Sequence, residues 1–415
     1  MKKCINIFCV PDKMKGTLKA GEICDIFKQE AENNIYQNAN GERIVFKTST
    51  LAMADGGDGS VEALSKRLHL NKVRLTVNGP FMQPVASYYA IDLQGNAYIE
   101  MASAVGLVMI PTEKRNCMQT SSYGFGELIQ HAIGNGSKKI YLCLGGSSTS
   151  DAGIGMATAL GFQFLDKQGQ KVQPVGGKMK HIAQFVTSEN IEQIRATDFV
   201  SLYDVNNPIL GKNGAAPAFA PQKGANKTEV KILEQGLERV VKLMLTDTDF
   251  YKKQHPHGTK IDELIELEGG GAAGGMGLGT HFFLGAELKS GASEIMNLIS
   301  FEDKLDECDV FITAEGQLDG STINGKVPFE VSRKANDKNL PCYVICGKNS
   351  LTEHQKKTFG ARAYYSLIEL VGEEKALQEP EYALRRVVQD MLKDIACIYG
   401  QSSRFLNIKA RSKSD

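Results

Sequence analysis

Ile140-Tyr141-Leu142-Cys143-Leu144 runs straight into Gly145-Gly146-Ser147-Ser148-Thr149-Ser150-Asp151-Ala152-Gly153-Ile154-Gly155. A short apolar run closed by glycines reads as a buried strand. Residues 153–161 then carry the spacing of a helix. Strand, glycine-hydroxyl loop and helix, in that order, is half of a βαβ unit, and the order recurs along the chain. Strands are expected at 4–10, 43–50, 73–77, 86–92, 97–101, 139–144, 199–203, 309–313 and 341–346. Helices are expected at 19–33, 58–69, 123–135, 153–161, 228–246, 273–285, 327–336 and 375–399. Such alternation predicts an α/β chain with mainly parallel sheets.

Length predicts two or three domains, and local style marks the boundaries of two. After Val73–Val77, the turn Asn78-Gly79-Pro80 is followed by a hairpin-like stretch, 85–101, turned by Gln94-Gly95-Asn96. A second change comes in 247–270, before a glycine cluster. The expected division is a discontinuous Rossmann-like domain, 1–77 with 281–415, and an inserted α/β domain, 78–280.

Composition excludes several classes. Lys+Arg and Asp+Glu both number 48, so the formal charge is zero, without the basic footprint of a nucleic-acid binder. No apolar stretch approaches the ~20 residues of a membrane span. Pro11 and Asp12 cut short the first apolar run, so residues 4–10 read as a strand and not as a signal segment. The nine cysteines are scattered without a CxxC and mostly inside apolar runs. That usage suits a reducing cytoplasm.

Half of the 42 glycines fall in six polar segments that follow strands or open helices. Asp12-Lys13-Met14-Lys15-Gly16-Thr17 follows the first strand. Met53-Ala54-Asp55-Gly56-Gly57-Asp58-Gly59-Ser60 opens a helix, where backbone N–H groups can face an anion. Its two acids point to a cation as well, since Mg²⁺ is commonly held by one or two carboxylates plus phosphate oxygens; the plainer reading makes Asp58 a helix cap. Gly145–Gly155 has the form of a phosphate cradle, with Asp151 as a cap in the plainer reading. Gly269–Gly274 fits GxGxxG, but Ile261–Leu267 before it is helix-like, so a dinucleotide fingerprint is not expected. Close packing or backbone approach to ligand is expected there. Glu315-Gly316-Gln317-Leu318-Asp319 precedes Gly320–Lys326, which reads GxxxxGK; Val327 replaces the Ser/Thr of a P-loop. What survives is Lys326 at a helix N-terminus beside Asp319 and Glu315. Tyr203–Gly224, with Asp204, Asn207 and Lys223, is turn-rich after a strand end, either a ligand loop or a plain surface loop.

Taken in order, these segments resemble the bacterial glycerate kinase family, type I. The resemblance rests on Asp12–Leu18, Met53–Ser60, Ile99–Leu107, Gly145–Gly155, Asp204–Ala225, Gly271–Gly275 and Glu315–Pro328, and covers about 4–395. Departures are Lys13 and Met14 for Ser-Phe, Asp58 for Glu, Ser150 for Asn, Ala152 and Ala220 for Gly, Gln317 for Arg and Ser321 for Gln. The resemblance implies two α/β domains with the active site in the cleft between them. It implies transfer of the ATP γ-phosphoryl group to a hydroxyl of D-glycerate, with 2-phosphoglycerate as product and Mg²⁺ as cofactor.

Phosphoryl transfer needs cations, backbone donors, a metal-binding acid and a proton acceptor. Lys15 and Lys326 are assigned to neutralise charge, and Asp55 and Asp319 to catalysis. Gly145, Gly146, Ser147, Ser148, Thr149 and Asp151 are assigned to nucleotide phosphate. Lys13, Asp204, Asn207, Lys223 and Gln317 are assigned to substrate, and Asp55, Asp58 and Asp319 to metal. The base is left open between Asp55 and Asp319. The expected partner is a small molecule, with no nucleic acid and no membrane; a homodimer stays open. Two rivals are a non-catalytic hydroxy-acid sensor on the same scaffold and a dinucleotide-dependent oxidoreductase.

Overall fold

A computed structural model describes residues 3–14, 16–255 and 260–401 of the chain. The first stretch supplies β1 (Lys3–Pro11), β2 (Tyr36–Gln37) and β3 (Arg43–Thr50). The middle supplies β4 (Asn71–Asn78), β5 (Pro84–Ile91), β6 (Ala97–Glu100), β7 (Lys139–Cys143), β8 (Gln163–Leu165), β9 (Gln184–Val186), β10 (Asp198–Tyr203) and β11 (Glu287–Ser290). The last supplies β12 (Val310–Leu318), β13 (Cys342–Asn349) and β14 (Ala363–Ser366). The architecture is α/β with mainly parallel sheets.

Contacts divide the chain into two compact units, Met1–Met53 with Met296–Asp415, and Ala54–Ile295. The sequence reading puts the joins at 77/78 and 280/281 instead. Its Asn78-Gly79-Pro80 turn lies inside a hairpin: the Gly79 amide donates to the Gln83 carbonyl at 2.6 Å, and β4 pairs antiparallel with β5 from Asn71↔Ile91 to Asn78↔Pro84. Strand pairing therefore carries residues 71–78 into the middle unit.

The unit built from both ends has one six-stranded sheet, ordered β14-β13-β12-β1-β3-β2. All its strands are parallel except β2. Ile5, Ile7, Phe8, Cys9 and Val10 are all buried, as a parallel strand covered on both faces requires. One core cluster joins Ile23 and Phe27 of the helix Ala20–Asn33 to Leu384, Val388 and Met391 of the helix Pro380–Gln401. Phe8 stacks on Phe301 at 5.5 Å between ring centroids. The chain leaves β1 for β3 on one side and returns to β12 on the other. Connections from β1 and β12 therefore part company at their carboxyl ends, where such sheets hold ligands.

The strand expected at 309–313 runs on as far as Leu318. Pairing of Glu315 with Cys346, Gln317 with Lys348 and Leu318 with Asn349 extends β12 and β13 together. The expected helix 375–399 is two helices, Glu373–Gln378 and Pro380–Gln401, because proline lacks the N–H that would continue the first.

The middle unit has a six-stranded sheet ordered β11-β10-β7-β6-β5-β4, parallel from β11 to β6 and antiparallel beyond. β8 and β9 form a separate antiparallel pair. Its core contains Phe125, Leu128, Ile140, Leu142, Met156, Phe162, Leu233, Phe282 and Phe283.

Candidate functional site

β6, β7, β10 and β11 of the middle unit are parallel, so Glu100, Cys143, Tyr203 and Ser290 end on one edge of the sheet. The segment Ala54–Gly59 crosses that edge. The Gly145 amide donates to the Gly56 carbonyl at 3.3 Å. A Cβ on Gly145 would lie 2.6 Å from Gly57 Cα, and one on Gly291 would lie 2.1 Å from the Asp55 carbonyl oxygen. Only glycine permits backbone contact this close. The packing sets Asp55 and Asp204 beside the glycine pair: Asp55 Oδ1 is 3.3 Å from where a Gly57 Cβ would stand, and Asp204 Oδ2 is 3.3 Å from where a Gly145 Cβ would stand. Asp55 is half-buried and Asp58 exposed. Asp58 is not the helix cap of the plainer reading; the helix Ser60–Leu68 starts after Gly59, at φ 93° and with no side-chain cap bond.

The loop after β7 is braced from inside. The Leu107 amide donates to the Gly146 carbonyl, and the Ser148 amide and hydroxyl both donate to the Val105 carbonyl, at 2.9 and 2.8 Å. Asp151 is fully buried; its Oδ2 accepts from the Ser122 amide and hydroxyl at 2.8 and 2.7 Å, and its Oδ1 from the Gly153 amide. Burial pushes its carboxyl up, against those same bonds. Ser148 and Asp151, read from sequence as phosphate ligands, are thus engaged in holding the loop. Gly145, Gly146, Ser147 and Thr149 are the other residues of that assignment, and Ser147 and Thr149 are buried as well. The Thr149 and Ser150 hydroxyls are buried without a hydrogen-bond partner among the described residues.

Lys223, expected at a substrate surface, is 3% exposed. Its ammonium donates to Ser147 Oγ at 2.8 Å and to the Thr149 carbonyl at 2.5 Å. Burial pulls its pKa down to about 8, while Cys117, Asp151 and Asp204 act the other way. Asn207 is occupied too: its amide group donates to the Asn213 carbonyl at 2.7 Å and its own carbonyl accepts from the Gly271 amide.

The glycine cluster 269–279 packs on this loop. The Ala152 amide donates to the Gly274 carbonyl at 3.1 Å, and a Cβ on Gly274 would lie 2.3 Å from the Thr149 carbonyl oxygen. No strand precedes the cluster; a 3₁₀ turn, Ile261–Ile265, does. Close packing is the role the structure gives these glycines. Ala152 sits at φ 51°, a left-handed backbone that costs an L-residue about 1–2 kcal/mol.

The other unit gathers a second set. Asp12, buried at the end of β1, accepts from the Lys13 amide at 2.7 Å, while its own amide donates to the Ala314 carbonyl on β12. Lys326 N-caps the helix Val327–Asp337, and its ammonium pairs with Glu315 Oε1 at 3.0 Å; the Thr322 hydroxyl donates to Glu315 Oε2. Asp319 Oδ1 accepts from the Ser321 amide and hydroxyl at 2.8 and 2.6 Å. Burial raises its carboxyl, but those bonds and the Lys326 charge outweigh it and hold it below the usual range. Gln317 is exposed, in register with Lys348. Lys15 lies outside the described residues.

Sequence reasoning placed Glu315 with Asp319 beside Lys326, as an acid able to hold a metal or accept a proton, but gave no site role to Asp12. The available signal was position: Asp12 follows the end of β1, which with β12 flanks the point where the sheet's connections diverge. Among the described residues no group of three or more His, Cys, Asp and Glu side chains is placed to hold a metal ion. Asp55 and Asp58 belong to one unit and Asp319 to the other. Asp55 and Asp58 carry carboxylate oxygens, the hard donor type that Mg²⁺ takes.

An α/β sheet edge with a glycine-hydroxyl loop, carboxylates and a buried lysine defines a phosphate-handling enzyme of the kinase type. The chain matches the Glycerate kinase family over residues 7–396 and belongs to that family. It is 36% identical over 392 residues to an uncharacterised protein of Synechocystis sp., covering 92% of this chain and 97% of that one. It is 33% identical over 377 residues to a glycerate 2-kinase of Escherichia coli strain K12, covering 89% and 92%. A crystal structure assigned as glycerate kinase 2 from Salmonella typhimurium LT2 superposes with a TM-score of 0.72 at 31% identity, covering 95% of this chain and 98% of that one. The chain is a kinase, a transferase of phosphoryl groups. Among the described residues no helix is long and apolar enough to cross a membrane.

Proposed function

We propose that the chain transfers the γ-phosphoryl group of ATP to the 2-hydroxyl of D-glycerate, giving 2-phosphoglycerate and ADP. The hydroxyl oxygen forms the new bond to phosphorus, the bond from phosphorus to the β,γ-bridging oxygen breaks, and the hydroxyl proton passes to a carboxylate. The observation that carries the reading is the loop Gly145–Thr149 at the carboxyl edge of the sheet, crossed by Ala54–Gly59 and backed by Lys223. Family membership and the name of the Escherichia coli relative support the acceptor and the position.

Asp55 is the better base of the two left open. Asp319 Oδ1 already accepts two bonds from Ser321, and its carboxyl is held low. A base works best with a pKa near the working pH. Asp319 instead stays ionised and keeps Lys326, at its helix N-terminus, in a charged cluster that also contains Glu315. Lys13 and Gln317 remain assigned to the acceptor, with Lys15 assigned to charge neutralisation. With Asp55 as base, Asp58 would hold Mg²⁺; when bound, the ion neutralises developing phosphate charge. Seven of the nine cysteines are buried as thiols, a usage that suits a reducing, cytoplasmic location.

The test is ADP release by purified protein with ATP, Mg²⁺ and a panel of hydroxy acids, with product position read by ³¹P and ¹³C NMR. D-glycerate-dependent ADP and a 2-phosphate are expected. Glycerate binding with no ADP from any acid would favour the sensor; a 3-phosphate would overturn the regiochemistry alone.

A further inference from the structure

Lys223 lies in a short 3₁₀ turn, Pro221–Lys223, far in sequence from the loop that it contacts. The turn is locked in place: the Cys117 amide donates to the Lys223 carbonyl at 3.1 Å, and a Cβ on Gly224 would lie 2.0 Å from the Arg115 carbonyl oxygen. The ammonium is therefore delivered to a fixed point under Ser147 and Thr149. Its direct contacts are a hydroxyl and a carbonyl, not a carboxylate. Asp151 from the β7 loop, Asp204 from the β10 loop and Cys117 are the titratable groups acting on it. Asp151 has its oxygens taken by Ser122 and Gly153.

We propose that Lys223 is a positioning residue for the Gly145–Ser150 loop: from inside the unit it fixes the loop's shape and lends it positive charge, without itself touching substrate. A buried cation without a directly bonded carboxylate is costly. At this position its field falls on the loop backbone, in surroundings that screen it little. An anion on the far side of the loop would be stabilised by that field. This function for the loop rests on the kinase reading; the bracing role of Lys223 does not.

Hydrogen exchange read by mass spectrometry separates the two. In ligand-free protein at pH 7, peptides covering 144–152 are expected to exchange at least ~10-fold faster in Lys223→Met than in wild type, and less than ~3-fold faster in Lys223→Arg. In wild type, protection of the same peptides, corrected for the intrinsic rate, is expected to fall between pH 7 and 9.5 as the ammonium loses its proton. Peptides from β1 and β12 should not follow. In Lys223→Arg the fall should vanish, since a guanidinium stays charged. Unchanged loop exchange in folded Lys223→Met overturns the proposal. If that variant does not fold, a flat wild-type pH series overturns it. Failure of wild type to bind a non-hydrolysable ATP analogue, with loop exchange as expected, would sink the kinase reading and leave the bracing role standing.

Discussion

The two loop sets, one in each unit, are built on opposite principles. In the middle unit the Gly145–Gly155 loop is held by backbone contact, buried hydroxyls and one buried lysine. In the other unit the segment Glu315–Lys326 is held by charged side chains, the largely buried pair of Lys326 with Glu315 and the partly exposed Asp319 with the Ser321 hydroxyl. Buried networks fix one geometry because each unmet partner is costly. Contacts open to water, such as Asp319 with Ser321, are worth less and rearrange more easily. The comparison assigns rigid recognition to the first set and adaptable charge to the second.

The largest effect expected from breaking that comparison is in turnover. Asp55→Asn should lower kcat at least ~100-fold, and Asp319→Asn nearer ~10-fold, if Asp55 is the base. Steady-state assays on both variants decide this; equal losses would return the choice to where the sequence left it. Next come the glycines. Gly145→Ala should destabilise by ~1–3 kcal/mol through overpacking against Gly57 and impair activity. Gly320→Ala in the other loop meets only the mobile end of Gln355 at 3.0 Å, and should be close to neutral. Denaturant melts of both variants check the contrast.

A third prediction concerns acid. His281 is buried in the middle unit, where its Nε2 lies 3.1 Å from the Tyr251 hydroxyl and its ring centroid 4.1 Å from that of His255. Burial, with repulsion from His255, pulls its pKa down to about 4. The unfolded chain takes up that proton near pH 6.5, so below this pH it binds more protons than the folded chain. Stability should therefore fall as pH drops from about 6.5 towards 4, by about 3 kcal/mol at most. Urea titrations across this range should show the slope, and His281→Gln should flatten it. The smallest effect is at Ala152. Replacing it by glycine relieves a left-handed backbone worth ~1–2 kcal/mol but frees the unfolded chain by ~0.5–1 kcal/mol, for a net gain of about 0–1.5 kcal/mol. Thermal melts would show it.

The sequence disclosed most of the fold because apolar runs and helical spacing are local. Ile140–Leu144 followed by Gly145–Gly155 could hardly be anything but a strand and a loop. The extension of β12 through Glu315 and Gln317 was hidden because it depends on pairing with β13. The β4–β5 hairpin was hidden because Asn78-Gly79-Pro80 has the same letters as a linker. In the site, the glycines and Asp55 were legible from their loop context. The interior position of Lys223 was not, since only partners about 75 residues away can make a home for a buried ammonium. Nor was the engagement of Ser148 and Asp151, whose partners Val105 and Ser122 lie on other segments. The GxGxxG of 269–274 follows no strand, and its glycines serve close packing, Gly269 on Tyr203, Gly271 on Pro208 and Gly274 on Thr149.

Hydrogen exchange on wild-type protein, with and without a non-hydrolysable ATP analogue, tests the central claim most directly. Slower exchange on nucleotide binding in peptides covering 144–153 and 54–59 is the predicted result. Tight nucleotide binding that leaves both segments unchanged and protects other segments would contradict it.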